Sequence, residues 1–286
     1  MMAGMIECVV NISEGRDRRK IEHVAKGAAG LLLDLHVDGH HNRSVLTIGG
    51  GGADVEAAAR QVVERAIKTI DLRAHTGVHP RMGAADVVPF VPLDGAVDTV
   101  VGARDRTARF IGDVLRVPSF LYGPDRTLPA VRRGAFAQLF PDYGPRHPHP
   151  RAGATAVGAR GSLVAYNVWI EGPGIGGAEP AEPDVGVTDV ARQVAAAVRG
   201  PGLRAIGVPY GAGAQVSCNL VDPDRLGPDR AYDLIATALE HRGGGVVRAE
   251  LVGLVPESVL RAVPTHRWRE LDLSASRTIE ARLEAR

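Results

Sequence analysis

Short β-branched runs alternate with Ala-rich helical runs along this chain, and the order of that alternation occurs twice. IECVVNI (6–12) has the pattern of a strand, followed by a Ser13-Glu14-Gly15 turn and a helical run from Asp17 to Ala29. LLLDLHVD (31–38) is a second strand, and Gly39 and Asn42 mark the turn into a third, RSVLTIG (43–49). Glycines 49–52 lead into an Ala-rich helix from Asp54 to Ile70, and ADVVPFVP (85–92) follows as a strand. A helix over 99–116 and a strand, SFLYG (119–123), extend this half, and 124–153 reads as connecting loops around one short helix.

The second half repeats the order more faintly. Strands are expected at SLVAYNVWI (162–170), RAIGVPY (204–210), AQVSCNL (214–220) and VVRAELVGL (246–254), with helices at 187–199 and 228–242 and helical pieces after Pro256. Each half therefore reads β-α-β-β-α-β, the split-βαβ or ferredoxin-like arrangement. The expected class is α+β, with halves spanning 1–160 and 161–286. Two such sheets stacked face to face would leave a cleft, a usual place for a site.

Composition narrows the function. The chain has 286 residues and a formal charge of +1, so there is no global basic field suited to nucleic acid. Lys20, Lys26 and Lys68 are its three lysines; arginine supplies the other cations and suits carboxylate recognition wherever it lines a site. Cys8 and Cys218 sit in apolar runs without metal-site spacing and are expected as buried thiols. The N-terminus lacks the pattern of a signal peptide, and no run approaches the ~20 apolar residues of a membrane span. A cytoplasmic enzyme is the expectation.

Histidine placement is uneven. His36, His40 and His41, then His75 and His79, then His147 and His149 fall in three short loops. Imidazole titrates near neutrality and is the usual acid–base side chain at physiological pH. His75 and His79 have the i, i+4 spacing of a zinc helix, but Gly77, Pro80 and the lack of an HExxH glutamate argue against one. HVDGHH (36–41) could offer ligands, yet nothing in it fixes a geometry, and no metal is expected. The GGGG run (49–52) lacks the lysine of a P-loop and reads as a strand-to-helix connection with an ordinary helix cap. HPRMG (79–83) is different: Pro80 stiffens the backbone after His79, Arg81 offers a carboxylate fork, and Gly83 allows close approach. His79 is thus the leading general acid–base candidate.

Eight ordered blocks carry a resemblance. They are CVVNISEGRD (8–17), LLDLHVDGHHNRSV (32–45), HTGVHPRMGAADVVPFVP (75–92), DYGP (142–145), AGATAVGAR (152–160), LVAYNV (163–168), QVSCNL (215–220) and ELVGLVP (250–256). Together they resemble the formiminotransferase domain of the glutamate formimidoyltransferase family, nearly end to end. The resemblance implies two ferredoxin-like halves whose sheets enclose a folate tunnel, and a homodimer. It implies transfer of a formimino group from N-formiminoglutamate to N5 of tetrahydrofolate, a co-substrate, with His79 as the acid–base residue. A second, cyclodeaminase domain of larger relatives is not expected in a chain ending at Arg286.

The family's folate-contacting loop matches Gly144, Pro145, Arg146, His147, Pro148, His149, Pro150, Arg151, Ala152 and Gly153 without a gap. Its arginines and histidines give it a positive character suited to a glutamyl tail; an exposed basic loop is the plainer reading. Asn11, Asp34, His36, His41, Asn42, Arg43, Arg81 and Met82 fall in matched motifs as candidates for holding substrate. Asn167 and Asn219 of the second half are candidates for facing the folate, with buried satisfied amides as the alternative.

Departures are specific. Relatives commonly carry a second acid where this chain has His36, often glutamate where it has Val78, and proline where it has Val10; the region 123–141 is shorter than in many. Loss of a carboxylate removes an electrostatic partner for a cationic amidine-like donor. A neutral formyl donor, another amine or amidine, or a non-catalytic folate-binding role are the alternatives.

Overall fold

A computed structural model describes residues 4–78, 80–171, 185–211 and 213–286. The chain divides into two compact units, Met1–Gly161 and Ser162–Arg286. Both are mixed α+β.

The first unit runs β1 (Met5–Ile12), α1 (Arg18–Ala25), β2 (Leu32–Asp38), β3 (Arg43–Gly51), α2 (Gly52–Thr69), β4 (Ala85–Pro92), α3 (Asp98–Arg109), β5 (Ser119–Tyr122), α4 (Leu128–Gly134) and β6 (Thr155–Ala159). Its six strands lie in the order β2-β3-β1-β4-β6-β5. The first four are antiparallel, while β6 joins β4 and β5 as parallel neighbours. Alternation along the strands sends Cys8, Val10 and Ile12 of β1, Leu46 and Ile48 of β3, and Val88 and Phe90 of β4 into one core. Val55, Ala59, Val62 and Ala66 of α2 fill the same core at helical spacing. The intervening residues of β1 and β3, including Asn11 and Arg43, consequently face away from the helices.

The second unit runs β7 (Val164–Glu171), α5 (Val185–Val198), β8 (Leu203–Tyr210), β9 (Gly213–Leu220), α6 (Pro228–Glu240) and β10 (Gly245–Val252). Two short helices, α7 (Glu257–Ala262) and α8 (Ile279–Glu284), follow. Its antiparallel sheet has the order β10-β7-β9-β8, matching the first four strands of the other unit position for position. Tyr166, Val168, Val216 and Cys218 pack against Ala191 and Val194 of α5 and Ile235 and Leu239 of α6. Asn167 and Asn219 are out of phase with these and lie on the opposite face of their sheet. No helix among the described residues is long and apolar enough to cross a membrane.

Three local expectations change. The helix expected over Asp17–Ala29 ends at Ala25 and tightens into a 3-10 turn, Lys26–Leu31, where Ala29 takes a positive φ of 50°. Gly49–Gly51 complete β3 instead of forming a loop; α2 starts at Gly52, and its N-cap Gly51 offers no side chain, with Asp54 one turn in. Strand β6 arises from TAVGA inside a Gly- and Ala-rich stretch that had no strand signature of its own. Cys8 and Cys218 are buried free thiols, and burial pushes both up, Cys218 to about 12.

Candidate active site

The site in the first unit is built around the turn between β2 and β3. Asn42 ends that turn with φ +51°, a left-handed conformation that asparagine tolerates better than most residues. Its buried carboxamide then works in two directions. The Oδ1 accepts from Gly15 N at 2.8 Å, and Nδ2 donates to Thr76 O at 2.9 Å. One side chain thereby ties the segment after β1 to its own turn and to the stretch that follows α2. Ser13 adds a second tie: its hydroxyl donates to Gly83 O at 2.8 Å, and its amide donates to Ala84 O at 2.9 Å.

The described residues of 75–82, which are 75–78 and 80–82, are irregular backbone held by side chains. His75 Nε2 lies 3.1 Å from Asn42 O, and Arg81 Nη1 lies 2.5 Å from His75 Nδ1. Guanidinium nitrogens only donate, so Nδ1 is the acceptor and Nε2 carries the proton that reaches Asn42 O. The imidazole is therefore neutral. Burial, and next the positive charge of Arg81, push its pKa below the ordinary histidine value. Arg81 Nη2 also donates to Gly77 O, and a Cβ at Gly77 would lie 2.6 Å from His41 O, so only glycine fits here. His79 lies outside the described residues; on its far side Arg132 Nη1 donates to Pro80 O at 3.1 Å.

Asp86 is the buried electrostatic hub. Asn11 pairs with Val87 and the next residue, Ile12, with Ala85, so Asp86 is the extra residue of a β-bulge. A bulge re-aims a side chain, and here it turns the carboxylate toward Asn11 and Arg43. Its Oδ2 accepts from Arg43 Nη1 at 2.8 Å and from Arg132 Nη2 at 2.7 Å, while Oδ1 accepts from Met82 N at 2.6 Å. Arg43 also donates to Asn11 Oδ1 at 2.8 and 3.2 Å. Burial lowers the pKa of Arg43 against the opposing pull of Asp86. Three guanidinium groups, those of Arg43, Arg81 and Arg132, thus gather about one fully buried carboxylate, a setting suited to an anionic substrate.

The loop 144–153 meets this cluster through its backbone. Gly83 and Gly153 form an antiparallel bridge, Ala84 N donates to Ala152 O at 2.9 Å, and Ala154 N donates to Met82 O at 3.0 Å. Gly153 has φ +67°, and a Cβ there would sit 2.2 Å from Met82 O. His149 Nδ1 accepts from Arg151 N at 3.2 Å and Ala152 N at 3.0 Å, closing the turn, and Arg151 Nε donates to Asp71 Oδ2 at 3.2 Å. At the other end the Arg146 guanidinium lies 5.2 Å from the centroid of Phe140. Arg146, His147, Pro148, Pro150 and Arg151 are exposed.

The first unit brings Asn11, Asn42, Arg43, Arg81, Met82 and the end of the 144–153 loop together through hydrogen bonds. Met82 contributes its amide, while its side chain packs against the small apolar cluster that includes Val87, Phe120 and Val131. His41 is buried beside Asp38, Nδ1 to Oδ2 3.2 Å, and desolvation lowers its pKa. Asp34 and His36 are half-buried on β2, the edge strand, opposite Thr47 and Val45. Asn167 and Asn219 belong to the second unit, where Asn167 Nδ2 donates to Glu250 Oε2 at 3.0 Å and Asn219 is exposed. Sequence reasoning missed Asp86, Arg132 and Ser13. A lone acid inside the apolar run ADVVPFVP was a usable signal for Asp86; Arg132 had none, since its partner lies 46 positions away.

A sequence profile described as the formiminotransferase domain, N-terminal subdomain, matches residues 5–160. The chain is 37% identical to a glutamate formimidoyltransferase of Streptococcus pyogenes serotype M1, covering 91% of both proteins. It is 33% identical to a protein of the same name from Thermoplasma acidophilum, covering 90% of this chain and 89% of that one. A formimidoyltransferase-cyclodeaminase of Sus scrofa is 31% identical over 91% of this chain and 51% of its own length. A solved microcompartment protein from Desulfitobacterium hafniense aligns over 90% of this chain and 98% of its own at 11% identity and a TM-score of 0.23, too low to bear on the fold. By the profile and these identities, the chain belongs to the formiminotransferase family and is a one-carbon transferase of the glutamate formimidoyltransferase type.

Proposed function

We propose that the enzyme moves the formimino group of N-formiminoglutamate to N5 of tetrahydrofolate, with His79 as the acid–base residue. N5 attacks the formimino carbon, and His79 takes the N5 proton from the tetrahedral intermediate. The bond from that carbon to the glutamate nitrogen then breaks as the imidazolium returns a proton to the departing amine. Acid–base help of this kind contributes roughly 100- to 10,000-fold, and positioning must supply the rest.

The observation that carries the reading is the bridge between Gly83 and Gly153, which joins the HPRMG segment to the loop matched to folate binding. Arg43, Arg81 and Arg132 beside it suit the donor's carboxylates, with Asn11, Asp34, His36, His41, Asn42 and Met82 as the remaining donor-site candidates. Gly144 to Gly153, with Asn167 and Asn219, are proposed for the folate. Ferredoxin-like halves enclosing a tunnel and a homodimer follow from the family resemblance and belong to this proposal, as does the cytoplasmic setting expected from the sequence.

His36 and Val78 favour a second reading. Val78, beside the acid–base position, is 42% exposed and brings no carboxylate to a cationic donor. Purified enzyme given tetrahydrofolate and N-formiminoglutamate should produce the absorbance of 5-formiminotetrahydrofolate. No product from that donor, with turnover of N-formylglutamate, would transfer the assignment to a formyl donor; tight folate binding without turnover of any donor would make the protein a binder.

A further inference from the structure

We propose that His75 is a positioning residue: as a neutral imidazole it latches the acid–base segment between the Asn42 turn and Arg81, and protonation opens the latch. The inference rests on the reading above only in taking position 79 as the acid–base residue.

The geometry is a chain of contacts with one protonation state. Asn42 O accepts from His75 Nε2, and His75 Nδ1 accepts from Arg81 Nη1. Arg81 Nη2 closes the ring on Gly77 O, and Asn42 Nδ2 holds Thr76 O. Arg16 Nη1 adds a contact to Thr76 Oγ1 at 3.3 Å. The carbonyls of Thr76 and Gly77 before position 79, and of Pro80 after it, are therefore all engaged by side chains from outside or across the segment. Every one of these ties but that to Pro80 passes through Asn42, Arg16 or the His75–Arg81 pair.

A proton on Nδ1 would set N–H against N–H and add a positive charge beside a guanidinium. The groups facing His75 are Arg81 from its own segment, Arg16 and Glu14 from the stretch after β1, and the Asn42 carbonyl. Among the described residues, two of these groups, Arg81 and Arg16, are cations, and Glu14 is the anion that opposes them. Protonation must therefore displace Arg81, which frees Gly77 O at the same time. The depressed pKa of His75 agrees with this direction.

The test uses the full chain. Histidine side-chain ¹⁵N spectra should show His75 as the Nε2–H tautomer at neutral pH. On acidification its protonation should coincide with a loss of backbone order across 76–81, read by ¹⁵N relaxation. His75→Gln, which keeps an acceptor and a donor, should retain near wild-type kcat and lose the acid-side step that tracks His75. His75→Leu should lower kcat about 10- to 100-fold with KM for folate little changed. A His75 that is already cationic or Nδ1-protonated at neutral pH overturns the latch, as does a 76–81 segment whose order ignores its titration. Wild-type kcat in His75→Leu overturns it too. The spectra need no substrate, so failure of the donor assignment leaves this test intact and is recognised by absent turnover.

Discussion

At the scale of single residues, the account turns on a small number of buried polar groups that must be satisfied together. Asp86 is fully buried and accepts from two arginines and a backbone amide, so removing its charge strands the cations it holds. Asp86→Asn should cost about 3–5 kcal/mol of stability, the range seen when one partner of a buried ion pair is lost. Denaturant unfolding measures this, and an unchanged midpoint would mean that Arg43 and Arg132 are held by other means. Asn42 was legible in the sequence as a turn residue and Arg81 as a carboxylate fork on the HPRMG turn, while Arg43 was named as a candidate only through the family resemblance of its motif. Asp86 and Arg132 escaped because a bulge and a contact from a distant short helix leave no periodic signal.

At the scale of elements, the critical join is between irregular segments, not between regular strands. The bridge from Gly83 to Gly153 holds the folate-matched loop against the segment proposed for acid–base chemistry, and Gly153 has no room for a side chain. Gly153→Ala should cost at least about 1–2 kcal/mol from the left-handed backbone alone, with a further penalty from the clash at Met82 O. Thermal unfolding reads the stability and tetrahydrofolate binding reads the site; both should fall. Retained folate affinity would detach the loop from the site. The regular elements were largely readable, since alternation in β1, β3 and β4 and the Ala-rich stripe of α2 are strong patterns. The addition of β6 was not, because TAVGA is short, small-chained and paired in parallel with strands far from it in sequence.

At the scale of the whole molecule, two histidines, buried His41 and half-buried His75, couple stability to pH. His41 and His75 both have folded pKa values below the ordinary value near 6.5, so the unfolded chain takes up protons first as pH falls. Their contribution is complete above about pH 6.5 and is lost as pH falls through the depressed folded values. The denaturant midpoint should therefore drop between pH 7.5 and pH 5; a flat or rising midpoint would contradict the neutral assignment. The mixed α+β class was readable from the repeated strand–helix pattern, and the family to which the chain belongs identifies it as a one-carbon transferase, for which we propose His79 as the acid–base residue. The most direct test of that chemistry compares kcat and tetrahydrofolate affinity in His79→Ala and the parent enzyme. A loss of about 100- to 10,000-fold in kcat with folate affinity nearly intact is the predicted result. Unchanged kcat, or a loss of folate binding that accounts for the whole effect, would contradict it.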